Sequence, residues 1–489
     1  MFSFYGKVYI TTAIDYVNAP PHVGHAYEKI IADVLARWHR LKGKDVFYLT
    51  GVDENAQKNE QAAKAAGIPT KKFVDKGSKI FEQLCKDLNL INNDFIKTTE
   101  ERHVKPVQTI FKKLFDKGDI YKGRYEGLYC DGCEAYMTEK DLVDGKCPEH
   151  NKEPKWIKQE SYFFKLSKYE KQILKLLKSK NFVVPQDKRN EMISRIEQDG
   201  LRDLCVTRYK AEWGVEVPFD KDHRIYVWID ALSNYITALG YPTGKDFKKF
   251  WPADVHLVGK GINWFHSVIW PGILMASEIE LPKTILVHSY LTVDGKKISK
   301  SLGTAIDPSE TIKEFGVDPL RYFLIKNLPL FVDGDFSEEK LKESLNNELA
   351  NDLGNLLSRT LTLVEKQFNG KVKGKVDKNL EKKLDLKKIE KYFEKYELHL
   401  ALEEIWKFVR NANKYVNDNK PWENKDENVL YNLLESLRVI SILLEPFIPS
   451  TCEKINKQVC VPKGNLKEVK FGLVKEYKVN KGEILFKKK

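Results

Sequence analysis

The chain has 489 residues, of which 42% are hydrophobic and 11% aromatic, enough to bury large cores and to form two to four domains. No apolar run approaches the roughly 20 residues of a membrane span, and the opening MFSFYGKVYITT lacks a secretory pattern, so we expect no membrane partner and a cytoplasmic location. The net charge is +12, and residues 351–489 hold 29 Lys and Arg against 20 Asp and Glu, which suits a polyanionic partner there, although lysine-rich surfaces also keep proteins soluble.

The first predicted elements form a βαβ unit. The segment KVYITTAI is rich in β-branched and aromatic residues, and the prolines after it end the strand. Apolar residues then repeat at helical spacing from Tyr27 to Leu41, and Gly43 suits the left-handed position after a helix. A second strand, DVFYLTGVDEN, ends at Asp53. This order predicts a parallel sheet with a nucleotide-type site at the carboxyl edge of its strands.

The motif HVGH, with His22, Gly24 and His25, lies at the predicted N-terminus of that helix. Unpaired backbone N–H groups and the helix dipole attract phosphate there, and glycine allows a ligand to approach the backbone closely. From the residues alone, the two histidines could equally be capping side chains without a ligand or two metal ligands one turn apart.

Three of the seven cysteines cluster with a histidine: Cys130-x2-Cys133, thirteen further residues, then Cys147-x2-His150. This spacing is typical of a zinc knuckle, and four protein ligands leave no open coordination position, so we expect one structural Zn²⁺ per chain. The odd number of cysteines argues against a disulfide framework and favours a reducing compartment. The other four cysteines are expected to be core or surface thiols.

Farther along, the polar segment DGKKISKSLG, with Lys297, Ser299 and Lys300, follows the predicted strand TILVHSYLTV. A solvated turn would have this composition. A glycine-flanked loop with two lysines is also suited to clamp a polyphosphate.

From about residue 350 the hydrophobic periodicity is helical and predicts an α-helical bundle. Asn355 and Arg359 are four residues apart and share one helix face, while Trp422 follows a proline at a helix end. Without further information these would be a surface amide, a surface cation and a core tryptophan.

The motifs together resemble a known family. HVGH followed by KISKS is similar to the two signatures of class I aminoacyl-tRNA synthetases. The segments PPHVGHAYE, FYLTGVDEN, YVWIDALSNY, NWFHSVIWP and SYLTVDGKKISKSLGT occur in the order found in the methionyl-tRNA synthetase family. The resemblance covers essentially the whole chain. It implies ATP-dependent ligation of methionine to tRNA through a methionyl-adenylate intermediate.

The resemblance also implies an α/β architecture, with a Rossmann-like parallel-sheet catalytic domain and a helical C-terminal bundle. The expected regions are the two halves of the catalytic domain (1–119 and 221–295), a connective insertion with the zinc knuckle (120–220), the KISKS loop and stem-contact region (296–350), and the helical anticodon-binding domain (351–489).

Site residues follow from the same resemblance. The expected catalytic residues are His22, His25, Lys297 and Lys300, with Gly24 and Ser299 added for ATP binding. The expected methionine-binding residues are Ala13, Ile14, Tyr16, Asp53, Trp228, Tyr235, Ile262 and His266. Asp53 would pair with the ammonium group, and the Tyr235 O–H and His266 N–H would donate to the thioether sulfur. Asn355, Arg359 and Trp422 would read the CAU anticodon.

The implied partners are L-methionine, ATP with Mg²⁺, and tRNA(Met), including the initiator. We expect a monomer, because no oligonucleotide-binding module follows GEILFKKK. Gly261 stands where the family commonly has an acidic residue, so that contact is missing or supplied elsewhere.

Three alternatives remain from the sequence. The chain could be another class I synthetase, although the insertion leaves little room for the editing domain of the leucine, isoleucine and valine enzymes. It could be a catalytically silent RNA-binding paralogue, although both signatures keep every charged residue. A small-molecule nucleotidyltransferase with H-x-G-H would not need the basic bundle.

Overall fold

A computed structural model of the chain describes residues 6–130, 135–148, 151–293, 295–297 and 305–489. Its centre is a seven-stranded sheet in which all the described strand pairs are parallel. Across the sheet the strands lie in the order Asp94–Lys97, Asp45–Asp53, Lys7–Thr12, Val255–Gly259, Ile285–His288 and Val183–Val184, and the short strand Asp15–Tyr16 pairs with the end of Asp45–Asp53.

The strand Lys7–Thr12 is the point at which the strand order reverses. From it the chain continues to Asp45–Asp53 on one side, whereas its other neighbour, Val255–Gly259, comes much later in the sequence. In an open parallel sheet the loops after two such strands diverge and leave a crevice at their carboxyl ends. The fold therefore places a crevice beyond Thr12 and Gly259.

Both faces of the sheet are buried, so alternate residues of each strand enter different cores. One core contains the first helix, Val23–Leu41, and the C-terminal bundle; the other contains the helices and sheets of the inserted segment. Strand residues in the first core are Val8, Ile10, Val46, Tyr48, Val255, Leu257 and Leu286. Strand residues in the second core are Tyr9, Phe47, Leu49, Ile96, Val183, Val258, Ile285 and Val287.

Four smaller sheets complete the strands. The inserted segment forms an antiparallel sheet in the order Ala135–Met137, Ile120–Cys130, Lys155–Phe164 and Leu204–Cys205, and a second one in the order Thr207–Tyr209, Asp220–Ile225 and Glu216–Val217. Lys296–Lys297, Leu291–Val293 and Gly334–Phe336 form a third sheet, and Lys371–Lys373 pairs with Glu476–Lys478.

Eleven α-helices of the described residues precede residue 338. They are Val23–Leu41, Gln57–Ala65, Thr70–Asp87, Glu101–Asp116, Glu170–Leu177, Gln186–Asp199, Val227–Thr237, Lys245–Phe250, Trp270–Ala276, Pro308–Phe315 and Val317–Asn327. Short 3₁₀ turns occur at Glu139–Asp141, Leu166–Tyr169 and Lys260–Ile262, and Phe265–Ile269 is a π-helical turn.

The C-terminal region is a helical bundle. Its α-helices are Glu338–Ser344, Asn355–Phe368, Lys378–Glu381, Leu386–Glu394, Leu398–Asn419, Pro421–Asn424, Glu427–Leu444 and Pro449–Val459. Leu345–Gly354 is π-helical and Leu466–Glu468 is a 3₁₀ turn. The parallel sheet and this bundle confirm the predicted fold class.

One strand differs from the predicted division. Val183–Val184 lies within the stretch 120–220 that we assigned to the insertion, yet it pairs with Ile285–His288 as the edge strand of the central sheet. Two residues carry no readable period, so sequence patterning could not identify this strand.

A buried ion network joins the first helix to the bundle. Asp33 accepts hydrogen bonds from Arg321 (2.6 Å) and from Arg37 (2.7 Å), and Arg37 also donates to Glu445 (2.9 Å). Arg321 has no exposed surface and donates in addition to the carbonyl of Phe447 (2.9 Å). Buried charges are tolerated only when they are paired and hydrogen-bonded, so this network requires both regions to be in contact.

No helix in the described ranges combines the length and the apolarity needed to cross a membrane.

Candidate active site

A cavity of about 820 Å³ occupies the crevice at the carboxyl edge of the central sheet. Every residue that we expected to bind methionine lines this cavity, together with His22 and His25. Gly24 lines a smaller cavity of about 220 Å³ that shares His22 and His25 with the larger one. The fold thus brings together residues from four separate parts of the sequence.

The two histidines are fixed by a reciprocal cap at the N-terminus of Val23–Leu41. The backbone N–H of Gly24 donates to His22 Nδ1 (3.1 Å), and the backbone N–H of His22 donates to His25 Nδ1 (3.0 Å). Their rings stack with centroids 3.9 Å apart. Because both Nδ1 atoms accept, each neutral ring carries its proton on Nε2. The structure therefore favours two capping histidines that act as Nε2–H donors, rather than two metal ligands.

Burial and the nearby Lys29 ammonium lower the pKa of His25 to about 3, so His25 is neutral at physiological pH. His25 Nε2 lies 3.9 Å from Asp15 Oδ1, and Asp15 is in turn paired with the fully buried Lys29. Glu28, the other carboxylate near the histidines, lies 2.9 Å from His288 Nε2. Both carboxylates therefore have cationic or hydrogen-bonding partners, which reduces their repulsion of a phosphate group.

Asp53 lies at the end of the strand Asp45–Asp53 and is only 2% exposed. Its Oδ1 accepts the backbone N–H of Asn55 (3.0 Å) and lies 3.5 Å from the Thr98 hydroxyl. These contacts hold the carboxylate in one orientation at the cavity wall. A buried carboxylate in this position can bind an ammonium group.

The aromatic wall comes from two segments. Trp228, near the start of the helix Val227–Thr237, stacks on Phe265 with ring centroids 3.7 Å apart. Tyr235 lies on the same helix and contacts His266, which belongs to the π-helical turn. Among the described residues, the indole N–H of Trp228 has no hydrogen-bond partner.

The hydrogen bonds of Tyr235 and His266 differ from the expected donation to sulfur. His266 Nδ1 lies 2.9 Å from the carbonyl of Ile262, which can only accept, so Nδ1 carries the proton. Burial lowers the pKa of His266 to about 4, so the ring is neutral and its Nε2 accepts the Tyr235 O–H at 2.7 Å. Both protons are already engaged within the protein, and neither is directed to a ligand.

Sequence reasoning missed several cavity residues. Asp15, Asn18, Glu28, His288 and Tyr290 line the wall without having been expected there. Two signals could have found some of them: Glu28 lies three residues after His25 on one helix face, and His288 ends a strand next to the crevice. Gly261 also lines the cavity, and it contributes no side chain.

The KISKS lysines are placed only in part. The backbone of Lys297 pairs with Thr292 in a short antiparallel ladder, but its side chain lies outside the described part of the chain. Ser299 and Lys300 lie entirely outside the described residues.

Two of the four expected zinc ligands lie in the described part of the chain. Cys130 ends the strand Ile120–Cys130, and Cys147 opens a turn in which its carbonyl accepts the Asn151 N–H (2.8 Å). Both cysteines are buried. Cys133 and His150 lie outside the described residues, and the described residues alone contain no group of three metal-binding side chains.

The expected anticodon residues lie together on the surface of the bundle. Asn355 begins the helix Asn355–Phe368, and the Arg359 guanidinium lies 5.4 Å from the Trp422 ring centroid. Arg359 also donates to Asn417 (3.1 Å). The Trp422 side chain is 42% exposed, so it is a surface residue and not the core tryptophan that its bare sequence suggested.

Comparison with known proteins agrees with this geometry. A family model described as class I tRNA synthetases (M) matches residues 8–155 and 140–361, and an anticodon-binding domain of tRNA ligases matches residues 377–485. A methionine–tRNA ligase of Caldanaerobacter subterraneus subsp. tengcongensis is 47% identical, over 98% of this chain and 78% of the relative. One from Bacillus subtilis is 42% identical, over 98% of this chain and 77% of the relative.

A solved structure gives the same result. The Mycobacterium tuberculosis methionyl-tRNA synthetase in complex with methionyl-adenylate superimposes with a TM-score of 0.94 at 37% identity, covering 98% of this chain and 99% of that one. The fold, the cavity and these matches lead to one conclusion: the chain belongs to the methionyl-tRNA synthetase family of class I aminoacyl-tRNA synthetases.

Proposed function

We propose that methionine and ATP react in the cavity described above. As a member of its family, the chain catalyses the ATP-dependent ligation of methionine to tRNA. The observation that carries the proposal is that one cavity is lined both by the HVGH helix N-terminus and by Asp53 with the aromatic wall. The M. tuberculosis relative with methionyl-adenylate supports the same assignment here.

The first step joins the methionine carboxylate to the α-phosphorus of ATP and releases pyrophosphate. The nucleophile is already an anion, so the step needs no general base; it needs close positioning and stabilisation of the charge that develops on phosphate oxygens. His22 and His25 would donate from Nε2 to these oxygens. The positive end of the helix dipole would add to their effect.

Mg²⁺ enters with ATP and offsets the charge of its phosphates. Asp15 and Glu28 are engaged by Lys29 and His288, so the ion's ligands would come mainly from phosphate and water, as is usual for Mg²⁺. Lys297, Ser299 and Lys300 would bind the leaving pyrophosphate from the KISKS loop.

Methionine would lie with its ammonium group on Asp53 and its side chain against Trp228, Tyr235, Ile262 and His266. Ala13, Ile14 and Tyr16 complete the pocket wall. Because the Tyr235 and His266 protons are engaged elsewhere, sulfur would be recognised by shape and by contact with aromatic faces. The Trp228 indole N–H is a donor that a ligand could use.

A zinc ion would hold the tip of the insertion. Of the residues between 126 and 160 whose side chains the structure describes (126–130, 137–148 and 151–160), only Tyr129, Cys130 and Cys147 are buried, so these residues form almost no apolar core. A Cys₃His set with Cys133 and His150 would supply the missing stabilisation. Elemental analysis should find about one equivalent of zinc, and Cys147→Ser should remove it; zinc-free protein purified without chelator would contradict the site.

The bundle would read the anticodon of tRNA(Met). Trp422 would stack on one base, and Asn355 and Arg359 would hydrogen-bond others. Trp422→Ala should weaken tRNA binding by about 1–3 kcal/mol while methionine activation and the melting temperature stay unchanged. The control is Trp406, which is fully buried and donates to Asp352 (3.0 Å): Trp406→Ala should lower the melting temperature. A lower melting temperature for Trp422→Ala, together with unchanged discrimination between anticodons, would contradict the stacking role.

The activity is tested by ATP–pyrophosphate exchange with each of the twenty amino acids, followed by charging of transcripts with CAU and altered anticodons. We expect exchange with methionine and charging that depends on CAU. Exchange with another amino acid would indicate a different class I synthetase. Intact tRNA binding without exchange would indicate a catalytically silent RNA-binding protein.

A further inference from the structure

A chain of buried hydrogen bonds runs from Asp53 to the far side of the helix Val227–Thr237. Asp53 Oδ1 accepts the backbone N–H of Asn55 (3.0 Å), and Asn55 Nδ2 donates to Asp230 Oδ2 (2.8 Å). The other oxygen of Asp230 lies 2.8 Å from His103 Nε2, and His103 Nδ1 lies 2.7 Å from the Thr237 hydroxyl. All five residues are at most 5% exposed.

The chemistry of these groups fixes the orientation of Asn55. Its amide nitrogen donates to the Asp230 carboxylate and also to the carbonyl of Thr98 (3.0 Å), and neither acceptor can donate in return. Both amide protons are therefore committed. If the Asn55 amide flipped, the buried Asp230 carboxylate would lose its donor, which is costly. The Asn55 side chain is therefore held in place, and with it the backbone N–H of Asn55 that faces Asp53.

Asp230 lies on the helix that carries part of the pocket wall. Trp228 and Tyr235, on either side of it in the sequence, line the cavity, whereas Asp230 and His103 do not. Through Asn55, Asp230 thus ties the loop that holds Asp53 to the same helix that holds the aromatic wall. This connection links the Asp53 carboxylate to the helix that forms part of the side-chain pocket.

We propose that Asp230 and His103 are positioning residues for amino-acid recognition: they orient Asn55 so that the Asp53 carboxylate meets the ammonium group while the side chain fills the aromatic pocket. The inference rests on the proposed role of Asp53. It predicts that loss of Asp230 harms the recognition of the ammonium group specifically, and not the general shape of the pocket.

The test compares methionine with 4-(methylthio)butanoate, the same molecule with hydrogen in place of the ammonium group. Asp230→Ala should raise the KM for methionine in ATP–pyrophosphate exchange about tenfold or more, with a smaller change in kcat. The inhibition constant of 4-(methylthio)butanoate should stay within about twofold of the wild type. Asp230→Asn should keep the KM for methionine close to the wild-type value, because its amide oxygen can still accept from Asn55 if His103 changes tautomer.

Ser233→Ala is the matched control. Ser233 is fully buried on the same helix and donates to the Ile229 carbonyl (2.7 Å), without a connection to Asp53. It should leave both constants unchanged. If Asp230→Ala does not fold, Asn55→Ala replaces it, because it breaks the same connection from the other side and keeps the backbone donor to Asp53. The same two constants are measured, with the same expected changes.

An unchanged KM for methionine in Asp230→Ala, or in Asn55→Ala if it is used instead, would overturn the inference. Equal losses for methionine and the deaminated analogue would also overturn it, because they would indicate a purely structural role. The role of Asp53 is tested separately by Asp53→Asn. If Asp53→Asn weakens methionine and the deaminated analogue equally, the ammonium assignment itself fails, whatever Asp230 does.

Discussion

The two halves of the cavity at the sheet edge, which we propose bind the phosphates and the amino acid, differ in how their polar groups are held. In the phosphate half, His22 and His25 are fixed by bonds within four consecutive residues at one helix end. In the amino-acid half, Tyr235 donates to His266, 31 residues away, and the Asp53 carboxylate lies 3.5 Å from the Thr98 hydroxyl, 45 residues away. The difference teaches that loss of a side chain in the phosphate half disturbs only the local helix cap, whereas the amino-acid half depends on distant partners for its shape.

The largest expected effect comes from breaking the phosphate half. His25→Ala should lower the rate of adenylate formation about 10²-fold with little change in methionine affinity, because the lost donor acts on charge that develops in the transition state. His25→Gln should recover part of the rate, since its amide N–H can reach the place of Nε2, and His25→Asn should not. Single-turnover rates measure this, and a rate within a few-fold of wild type for His25→Ala would remove the catalytic role.

A second prediction uses acid to test the amino-acid half. An unfolded histidine binds a proton below about pH 6.5, whereas burial keeps the pKa of folded His266 at about 4. The unfolded state therefore gains protons first as the pH falls, and this group should cost the fold about 1.4 kcal/mol per pH unit between those values. Between pH 6.5 and 5, His266 alone should lower the free energy of unfolding by about 2 kcal/mol. His266→Gln should remove this part of the pH dependence. Denaturant melts at several pH values check it; an identical slope in the variant would show that His266 is not the group responsible.

The smallest effect sharpens the account of sulfur recognition. Tyr235→Phe removes the donor to His266 Nε2 and should raise the KM for methionine by about threefold to tenfold, the effect of about one lost hydrogen bond. Norleucine, which has a methylene in place of sulfur, should lose as much, because the tyrosine proton is not directed to the ligand. A loss confined to methionine would instead show that the hydroxyl turns toward sulfur when the ligand binds.

The same contrast explains what the sequence could predict. The first helix ends at Leu41 with Gly43 at a φ of 76°, and the second strand ends at Asp53, both as expected from local periodicity and end signals. The HVGH cap is equally local. By contrast, Asn55 and Asp230 are 175 residues apart, and no local pattern reports a hydrogen bond between them. The prediction that the Tyr235 proton is directed to sulfur could not include its acceptor His266, 31 residues away, because the tautomer of His266 depends on the Ile262 carbonyl, a contact that appears only in the structure.

The Asp33, Arg37, Arg321 and Glu445 network has a consequence for modularity. Two sequence matches divide the chain near residue 370, which suggests that the catalytic part and the bundle are exchangeable units. Removing the bundle, however, would leave Arg37 without Glu445 and Arg321 without the Phe447 carbonyl, exposing an interface built around charge. The helix that carries both histidines is thus stabilised from the bundle, and a graft of this bundle requires a catalytic domain with residues equivalent to Asp33, Arg37 and Arg321 to meet it.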